Sequence, residues 1–332
     1  MLVPEAPAAG SLTDITPDIK WLRMGLPFRL NHVNVWLLRD GEGWAIVDTG
    51  LGAAATKEIW QRVFEVELKS KPTCLICTHY HPDHIGCAGW LVENYNIPFY
   101  ASLTEWSFGR MIANVPDDEY VRIITAYYTH FGLEGSRYNT VLQYGNHYAR
   151  NVTPLPTQLG RLRQGDRMTI GTKDWLILTY GGHTPEHACL YNAADNILIA
   201  GDQVLPFISP NISVSFYEMK ADPLSDYLVS LKALRLLPPE VLTLPSHGIP
   251  FRQLHMRLEQ LEAHHAERLE AIIGYCSEER TVAQIMDFLF PQELDAHQIM
   301  FAIGEAAAHA NYLVAYRKLK RVDGDIVKYV KA

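Results

Sequence analysis

The sequence predicts an α/β fold, in which helices cover the faces of β-sheets. In the first third of the chain, β-rich runs alternate with helical segments. Strand patterns resume after residue 166, beyond a long helical stretch. The chain has 332 residues, of which 48% are hydrophobic and 20% are charged, as in a globular protein with a large core.

The amino-terminal third shows the order strand, loop, helix, strand. Residues 33–39 and 44–47 are β-rich, and the Asp-Gly-Glu-Gly sequence between them is typical of a hairpin. Helical periodicity over 53–68 follows. The remaining predicted elements are a strand over 73–77, a helix over about 86–95 and a strand over 98–101. This is the element order of a layered α/β protein.

Residues 104–158 interrupt this order, because they contain no clear strand and are rich in aromatic residues. We interpret them as an inserted helical cap, in which most aromatics form the cap's own core. Asp222 and Pro223 are a good N-cap and first residue for a helix to about residue 237. The predicted strands after the insertion are 167–170, 175–180, 188–191, 197–200 and 241–244. From residue 251 the sequence is helical, with a short strand-like stretch at 325–330.

The segment after the predicted strand 73–77 is dense in side chains that bind metals. It contains His79, His81, Asp83 and His84. Zinc and similar ions bind imidazole and carboxylate groups, and burial of such a cluster without a metal is unfavourable. Pro82 indicates that a loop has begun. The loop would direct the first two histidines to one ion, and Asp83 and His84 to a second. The alternative is a solvated, histidine-rich turn.

Three further predicted strands end beside a candidate ligand. His183 follows the strand over 175–180 in a glycine-rich turn, Asp202 follows 197–200, and His247 follows 241–244. Active sites of layered α/β proteins gather at such strand ends. Each residue alone would be typical of a turn, but together they supply the ligands that a two-metal site still needs.

This ordered set of ligands resembles that of the metallo-β-lactamase-fold hydrolases. The motif His-x-His-x-Asp-His at 79–84 carries the resemblance, together with the later His, Asp and His. The flanking residues at 48–50, 182–185 and 201–202 also match, and the resemblance covers about residues 17–250. It implies a four-layer αββα sandwich with the metals at one edge of the two sheets.

The resemblance also implies a role for each ligand. His79, His81 and His183 would bind the first metal, Asp83, His84 and His247 the second, and Asp202 would bridge them. Seven protein ligands shared by two ions leave each ion an open position, as a catalytic site requires. Zinc is the expected metal, with iron and manganese as alternatives. Asp48, Thr184 and His187 would orient the ligands, although a structural role for His187 stays open.

The chemistry that follows is hydrolysis. A hydroxide held by two metals would attack the substrate. The expected catalytic residues are His79, His81, Asp83, His84 and Asp202, and Asp83 is also placed to transfer a proton. We expect an ester, thioester or lactone with an apolar acyl or aryl group, because an aromatic cap covers the site. The residues expected to contact it are Phe28, Tyr144, His147, Tyr148, Phe207 and Ile208.

Departures from known branches of the family limit the substrate. Leu205 stands where acyl-homoserine lactonases have tyrosine, and Glu186 stands where glyoxalase-II-type thioesterases have glycine. The segment between Asp202 and His247 is too short for the extra domain of the RNA-processing relatives. A phosphodiesterase or nuclease of the same fold is the alternative enzyme. The alternative outside enzymes is a metal-binding regulatory module that acts through a winged helix.

We expect two domains, a catalytic domain over 1–250 and a helical domain over 251–332. The second resembles the winged-helix-like tail of the lactamase-beta-2-like branch. Residues 317–321 are mostly basic, but 251–332 hold more acidic than basic residues, which disfavours nucleic-acid binding. Packing, dimerisation and covering of the active site are the alternatives, so a homodimer stays open.

Charge and composition exclude other classes of protein. The net charge of -8 and the pI of about 5.9 argue against a protein that coats nucleic acid or anionic membranes. No apolar run reaches the roughly 18–20 residues of a membrane helix, and residues 1–20 do not read as a signal peptide. The five cysteines are an odd, scattered set rather than a disulfide framework, and Cys74 and Cys77 are expected to be core thiols, which makes the cytoplasm the default location. The expected partner is a small-molecule substrate.

Overall fold

Two β-sheets lie face to face and helices cover both outer faces, which makes four layers. The structure is a computed structural model, and it describes residues 5–332. The sheets share one apolar core, and separate cores lie between each sheet and its helices. The predicted αββα sandwich with a helical insertion and a helical carboxyl-terminal region is therefore confirmed.

The first sheet has seven strands in the order of the sequence. They are β1 (Leu12–Thr16), β2 (Ile19–Gly25), β3 (His32–Asp40), β4 (Gly43–Val47), β5 (Pro72–Ile76), β6 (Phe99–Ser102) and β7 (Gly160–Leu162). Strands β1 to β4 are antiparallel, whereas β4 to β7 run parallel. Parallel strands end at the same edge of a sheet, so the residues after β4 and β5 emerge together.

The second sheet has five strands in the spatial order β12-β11-β10-β9-β8. They are β8 (Arg167–Ile170), β9 (Lys173–Tyr180), β10 (His187–Asn192), β11 (Ile197–Gly201) and β12 (Leu242–Pro245). The last two run parallel and the others antiparallel. The loops after β11 and β12 consequently leave the sheet side by side.

Eleven α-helices complete the described chain. They are α1 (Ala54–Gln61), α2 (Pro82–Ile85), α3 (Ala88–Tyr95), α4 (Leu103–Ala113), α5 (Asp117–His130), α6 (Gly135–Gln143), α7 (His147–Asn151), α8 (Pro223–Leu234), α9 (Leu254–Tyr275), α10 (Val282–Leu289) and α11 (Ala296–Ala315). Helix α1 continues as a π-helix over Arg62–Glu67, where the sequence predicted one helix over 53–68.

Apolar side chains from both sheets fill the space between them. Trp21 of β2 and Trp36 of β3 stack with their ring centroids 5.8 Å apart. Trp175 and Ile177 of β9 belong to the same buried cluster. Alternate residues of each strand point into this core, as the two-residue period of a strand requires.

The outer faces of the sheets pack against helices. Leu224 and Tyr227 of α8 and Leu254 and Leu258 of α9 cover the second sheet. The outer face of the first sheet joins a larger core that also includes the insertion and the carboxyl-terminal helices. One continuous apolar core thus connects the sandwich to both additions.

The insertion and the carboxyl-terminal region contact each other. The insertion, α4 to α7, leaves the first sheet after β6 and returns at the adjacent β7. The carboxyl-terminal region adds a three-stranded sheet of β13 (Arg280–Thr281), β14 (Leu319–Val322) and β15 (Lys328–Lys331). The Phe131 carbonyl of the insertion accepts a hydrogen bond from the amide of Ala283 at 2.9 Å, and that of His130 accepts one from Val327 at 2.9 Å.

Some elements differ from the sequence prediction. The sequence pattern missed the amino-terminal hairpin of β1 and β2 and the short strands β7, β13 and β14. All five cysteines lie within residues 5–332 and are buried free thiols, which confirms the prediction made for Cys74 and Cys77. Within the same residues, no helix is long and apolar enough to cross a lipid bilayer.

We predict that Trp36→Ala lowers the free energy of unfolding by about 3–5 kcal/mol, because it leaves a cavity between the two sheets. Urea unfolding followed by circular dichroism measures the change. Val229→Ala is the control, because Val229 is 61% exposed and its truncation should change stability by less than about 0.5 kcal/mol. Equal stability of Trp36→Ala and wild type would contradict the assignment of this core.

Candidate metal centre

The candidate ligands converge at one edge of the sandwich. Residues 79–84 follow β5 of the first sheet, and His183, Asp202 and His247 follow β9, β11 and β12 of the second. The edges of the two sheets therefore meet at this point. All seven candidate ligands are buried or nearly so.

A first cluster consists of three imidazoles. The ring nitrogens of His79, His81 and His183 lie within 4.8 Å of one another. His79 Nε2 is 3.0 Å from His81 Nδ1 and 3.3 Å from His183 Nε2. Three nitrogen atoms facing a common point match the requirement of a divalent ion for several imidazole ligands.

A second cluster consists of Asp83, His84 and His247. Asp83 Oδ2 is 3.5 Å from the Nε2 atoms of both histidines. Asp83 lies in the first turn of α2, where Pro82 occupies the first helical position. Asp83 and His84 therefore lie in a short helix, where the sequence predicted a loop. The His84 ring is also 3.9 Å from that of His79, measured between centroids, so the two clusters adjoin.

Asp202 lies between the clusters. Its Oδ2 is 3.4 Å from His183 Nε2 of the first cluster. The same oxygen is 3.4 Å from His247 Nε2 and 3.6 Å from His84 Nε2 of the second. One carboxylate oxygen thus contacts both clusters, which is the position that a bridging ligand needs.

The imidazoles of the first cluster favour the neutral form. Burial, followed by the repulsion of neighbouring imidazoles, lowers the pKa of His79 well below its ordinary value. Burial and the nearby His183 lower the pKa of His81 to about 3. Burial also lowers the pKa of His183. A neutral imidazole keeps the lone pair that metal binding requires.

In the second cluster, burial is outweighed by charge. Burial opposes protonation of His84 and His247, but the carboxylates of Asp83 and Asp202 raise the pKa of both imidazoles. The imidazoles in turn hold the pKa of each carboxylate below its ordinary range, although burial alone would raise it. Positive charge is therefore favoured here.

Two buried atoms at this point have no hydrogen-bond partner, His84 Nε2 and Asp202 Oδ1. A buried nitrogen and a buried oxygen without hydrogen-bond partners are unfavourable unless a cation binds them. The donor set of five imidazoles and two carboxylates fits two divalent ions.

Asp48 holds the loop that carries four of the ligands. Its carboxylate accepts hydrogen bonds from the Thr78 amide at 2.8 Å and from His84 Nδ1 at 2.8 Å. The Thr78 hydroxyl donates to the same carboxylate at 2.8 Å. The backbone of Asp48 has a φ of 64°, an uncommon left-handed conformation that aspartate tolerates and that turns the chain at the end of β4. The structure thus places Asp48 where it orients His84.

Backbone carbonyls orient two other ligands. His183 Nδ1 donates to the Asn211 carbonyl at 2.8 Å, and His247 Nδ1 donates to the His32 carbonyl at 2.7 Å. These bonds fix the tautomer that leaves each Nε2 free to bind a metal. Sequence reasoning missed both partners, because a backbone carbonyl has no residue-type signal.

His187 and Thr184 lie beside the ligands rather than facing a metal. His187 Nε2 accepts a hydrogen bond from the Asp202 amide at 3.1 Å, and its ring stacks on that of His79 with the centroids 4.9 Å apart. His187 therefore positions two ligands. Thr184 is buried next to His183, but its hydroxyl has no hydrogen-bond partner among the described residues, so its role in orienting the ligands stays a prediction.

Sequence reasoning also missed Glu105 of α4. Its carboxylate accepts hydrogen bonds from the Tyr80 amide at 3.0 Å and the Glu186 amide at 2.7 Å. It therefore joins the loop after β5 to the loop after β9. Burial raises the pKa of Glu105 to about 7. The only sequence signal was a single carboxylate in a predicted cap helix, which is too common to be informative.

A cavity of about 940 Å³ opens onto the ligands. Of the residues predicted to contact substrate, five line it: Phe28, Tyr144, His147, Tyr148 and Ile208. Phe207 is not among the lining residues, because its ring lies over Gly248 on the outer surface and is 72% exposed. The interpretation of Phe207 as a substrate contact is therefore not supported.

Sequence profiles of two families match the chain. The profile described as the metallo-beta-lactamase superfamily matches residues 29–247. The chain belongs to this superfamily. A second profile, described as the metallo-beta-lactamase-like C-terminal domain, matches residues 269–332. The superfamily match covers the whole set of clustered ligands.

Two solved structures of this superfamily are similar over nearly the full chain. A beta-lactamase domain protein from Burkholderia ambifaria is 38% identical, covers 98% of this chain and 96% of its own, and has a TM-score of 0.92. A metallo-beta-lactamase family protein from Thermus thermophilus is 27% identical and has a TM-score of 0.83. The match covers 96% of this chain and 100% of that protein. The whole arrangement, including the carboxyl-terminal region, is therefore shared.

Curated relatives are named as metallo-hydrolases, thioesterases and an exodeoxyribonuclease. The human acyl-coenzyme A thioesterase MBLAC2 is 24% identical over 185 residues, which span 52% of this chain and 59% of that protein. Because this chain belongs to the same superfamily and carries its ligand set, it is an enzyme of the hydrolase class.

We predict that Asp48→Asn weakens metal binding at the second cluster by about 10- to 100-fold. An amide cannot accept from both the Thr78 amide and His84 Nδ1, so His84 loses its orientation. Competition with a chromophoric chelator measures the affinity. Asp118→Asn is the control, because that side chain is 85% exposed. Unchanged affinity in Asp48→Asn would show that Asp48 does not orient His84.

We also predict that Gly201→Ala weakens metal binding by about tenfold or more. A Cβ at Gly201 would lie 2.4 Å from the His187 ring, which would displace His187 and the adjacent Asp202. Gly41→Ala is a matched control, because Gly41 has a similar φ of 59° but no atom within 4 Å of a Cβ. Both variants carry the left-handed strain of about 1–2 kcal/mol. Equal losses of affinity in the two would disprove the contact argument.

Proposed function

We propose that the protein is a two-metal hydrolase of an ester, thioester or lactone with an apolar acyl or aryl group. The observation that carries this proposal is the cavity that opens onto the ligands, because its wall is mainly aromatic and aliphatic. Seven tyrosines contribute to this wall: Tyr80, Tyr120, Tyr127, Tyr128, Tyr144, Tyr148 and Tyr217. A cavity of about 940 Å³ is large enough for an extended acyl chain or an aromatic ring.

We propose zinc as the metal, with His79, His81 and His183 holding one ion, Asp83, His84 and His247 the other, and Asp202 contacting both. When bound, two such ions supply Lewis-acid polarisation of a carbonyl oxygen and activation of water near neutral pH. The chain itself orients the imidazoles and excludes bulk water. Asp83 lines the cavity beside the proposed ligands, so its carboxylate is placed to exchange a proton with a group bound there.

His147 supports a polar contact to the substrate within the apolar wall. Its Nδ1 is buried without a hydrogen-bond partner. Burial and the nearby His297 lower the pKa of His147 to about 4, so the ring is neutral at neutral pH. A neutral imidazole offers a hydrogen bond without a charge. Phe28 stacks on His297 with the ring centroids 4.4 Å apart, and both residues line the cavity near His147.

The charges of the cavity favour a leaving group with little negative charge. Among the described residues that line it, Arg29 is the one lysine or arginine. Glu218, Asp226 and Asp295 add carboxylates beyond the proposed ligands. Away from the metal centre, these carboxylates disfavour a nucleic-acid strand or a leaving group as anionic as coenzyme A, whereas two bound divalent ions would attract negative charge next to the ligands. The same argument disfavours a phosphodiesterase or nuclease, which is the alternative enzyme.

We propose that the carboxyl-terminal region, 251–332, serves the cavity rather than nucleic acid. Phe290, Leu294, Met300 and Phe301 contribute to the cavity wall. In the basic stretch 317–321, Arg321 donates to Asp323 at 2.7 Å. These contacts weaken the alternative of a regulatory module acting through a winged helix. The buried free thiols are compatible with the reducing cytoplasm, which we propose as the location.

We predict that the metal-loaded protein hydrolyses p-nitrophenyl esters with a kcat/KM that rises with acyl length, by up to about fourfold per buried methylene group. The panel includes thioesters of neutral thiols, lactones, acyl-coenzyme A and bis(p-nitrophenyl) phosphate. Faster turnover of the phosphodiester than of every ester would favour the nuclease. Metal binding without any turnover would favour the regulatory module.

A variant that narrows the cavity tests where the acyl group binds. Ala302 lines the cavity, so Ala302→Leu should shift the preference toward shorter acyl chains with metal content unchanged. Ala271→Leu on the exposed face of α9 is the matched control. If Ala302→Leu keeps the wild-type preference for acyl length, the acyl group does not bind in this cavity.

A further inference from the structure

The segment 211–214, which we call the Asn211 segment, connects a candidate ligand to the carboxyl-terminal region. The Asn211 carbonyl accepts the hydrogen bond from His183 Nδ1 at 2.8 Å. The other polar contacts of this segment run largely to α11. We propose that Gly304 and Glu305 of α11 position His183 through the Asn211 segment, which makes the carboxyl-terminal region part of the metal centre.

Helix α11 contacts each polar residue of the segment. The Gly304 carbonyl accepts a hydrogen bond from the Val214 amide at 3.0 Å. The Phe301 carbonyl accepts one from the Ser213 hydroxyl at 3.2 Å. The Glu305 carboxylate accepts one from the side-chain amide of Asn211 at 3.3 Å. The helix therefore fixes the segment in position and in rotation.

Gly304 makes this close approach possible. A Cβ at this position would lie 2.8 Å from Ser213 Cβ and 3.0 Å from the Val214 carbonyl oxygen. Helix interiors disfavour glycine, because it loses more conformational entropy than alanine. The Gly304 backbone is ordinary helix, so close packing of the segment is the physical reason for glycine here.

Glu305 is held from the other side by Arg268 of α9. Arg268 Nη1 donates to the Glu305 carboxylate at 2.7 Å, and the carboxylate is buried. A buried carboxylate that is paired with a cation has little freedom to move. It therefore acts as a fixed acceptor for Asn211. The chain of contacts runs from Arg268 through Glu305 and Asn211 to His183.

The inserted helical cap also contacts the Asn211 segment. The Tyr127 hydroxyl of α5 donates to the Val214 carbonyl at 2.7 Å. Ile212 packs into the core under the second sheet, which anchors the segment to the sandwich. The direction of the Asn211 carbonyl is consequently set by three parts of the protein together, and α11 supplies the most polar contacts.

This inference rests on the metal centre of the proposed function, and it concerns only the site that contains His183. A change in α11 should weaken binding of the ion held by His79, His81 and His183. Binding at Asp83, His84 and His247 should change little, because Asp48 and the His32 carbonyl hold the two histidines. Asp202 contacts both clusters, but His187 positions it through its amide, not the Asn211 segment. A loss of stability alone would not produce this selectivity.

The test is a stepwise titration of the metal-free, full-length protein with Zn²⁺ against a chromophoric chelator. His183→Ala identifies the binding step of the first cluster, and Asp48→Asn identifies that of the second. We expect Gly304→Ala to weaken the His183 step by about tenfold or more and to leave the other step at its wild-type affinity. Gly274→Ala in α9 is the matched control, because no atom lies within 4 Å of a Cβ there.

Glu305→Gln provides a second, nearly isosteric test. The amide would present a donor to Asn211 while its oxygen stays with Arg268, so the same step should weaken. Circular dichroism monitors folding, and Glu305→Gln decides the question if Gly304→Ala does not fold. Wild-type affinity at the His183 step in folded variants would overturn this inference alone. Failure of the wild type to bind two ions would instead overturn the proposed metal centre.

Discussion

Burial of five imidazoles and two carboxylates at one point is the constraint on which the rest of this structure depends. Each buried ring has two nitrogens, and an unpaired polar atom in the interior is unfavourable. One nitrogen of each ligand faces the cluster, so its second nitrogen needs a partner elsewhere. Asp48 serves His84, the Asn211 carbonyl serves His183, and the His32 carbonyl serves His247. The surrounding fold is therefore organised around these partners.

The ends of the strands satisfy this constraint through the backbone conformation of a few residues. Asp48 and Gly201 adopt left-handed conformations, with φ of 64° and 53°, directly after β4 and at the end of β11. These turns redirect the chain, so that a carboxylate rather than the next apolar side chain reaches the cluster. At Gly201 a Cβ would meet His187, so the turn and the close packing both require glycine. The regular strands hold the ends of the chain segments in place, and the left-handed residues at those ends direct the side chains toward the cluster.

The sequence predicted the parts of this site that depend on residue type. The density of His79 to His84 after an apolar run and the ordered His183, Asp202 and His247 carry a chemical signal that few other patterns share. The alternation of strand and helix predicted a layered α/β protein, and the resemblance to the metallo-β-lactamase-fold hydrolases implied the four-layer sandwich. Partners that act through the backbone, such as Asn211 and His32, carry no such signal. Glu105 was missed for a related reason: its role depends on hydrogen bonds from the Tyr80 and Glu186 amides, which the sequence alone does not bring together. Strand β2 was missed because Lys20 and Arg23 interrupt its apolar pattern. Phe207 was expected in the cavity wall but lies outside it, because an aromatic residue near a ligand can point into the cavity or to the outer surface.

The division of the molecule explains why its chemistry is easier to infer than its substrate. The ligands come from the sandwich, whose strand ends fix their geometry. Much of the cavity wall comes from the insertion, the segment 205–226 and the carboxyl-terminal region, through residues such as Tyr128, Tyr217 and Phe301. Such parts can change without changing the strand ends that hold the ligands, so one kind of metal centre can serve different substrates. In this chain, the wall is apolar near the ligands and carries more acidic than basic groups. Because an apolar wall stabilises a group that is removed from water, this wall supports the proposed substrate, whose acyl or aryl group would be buried against it.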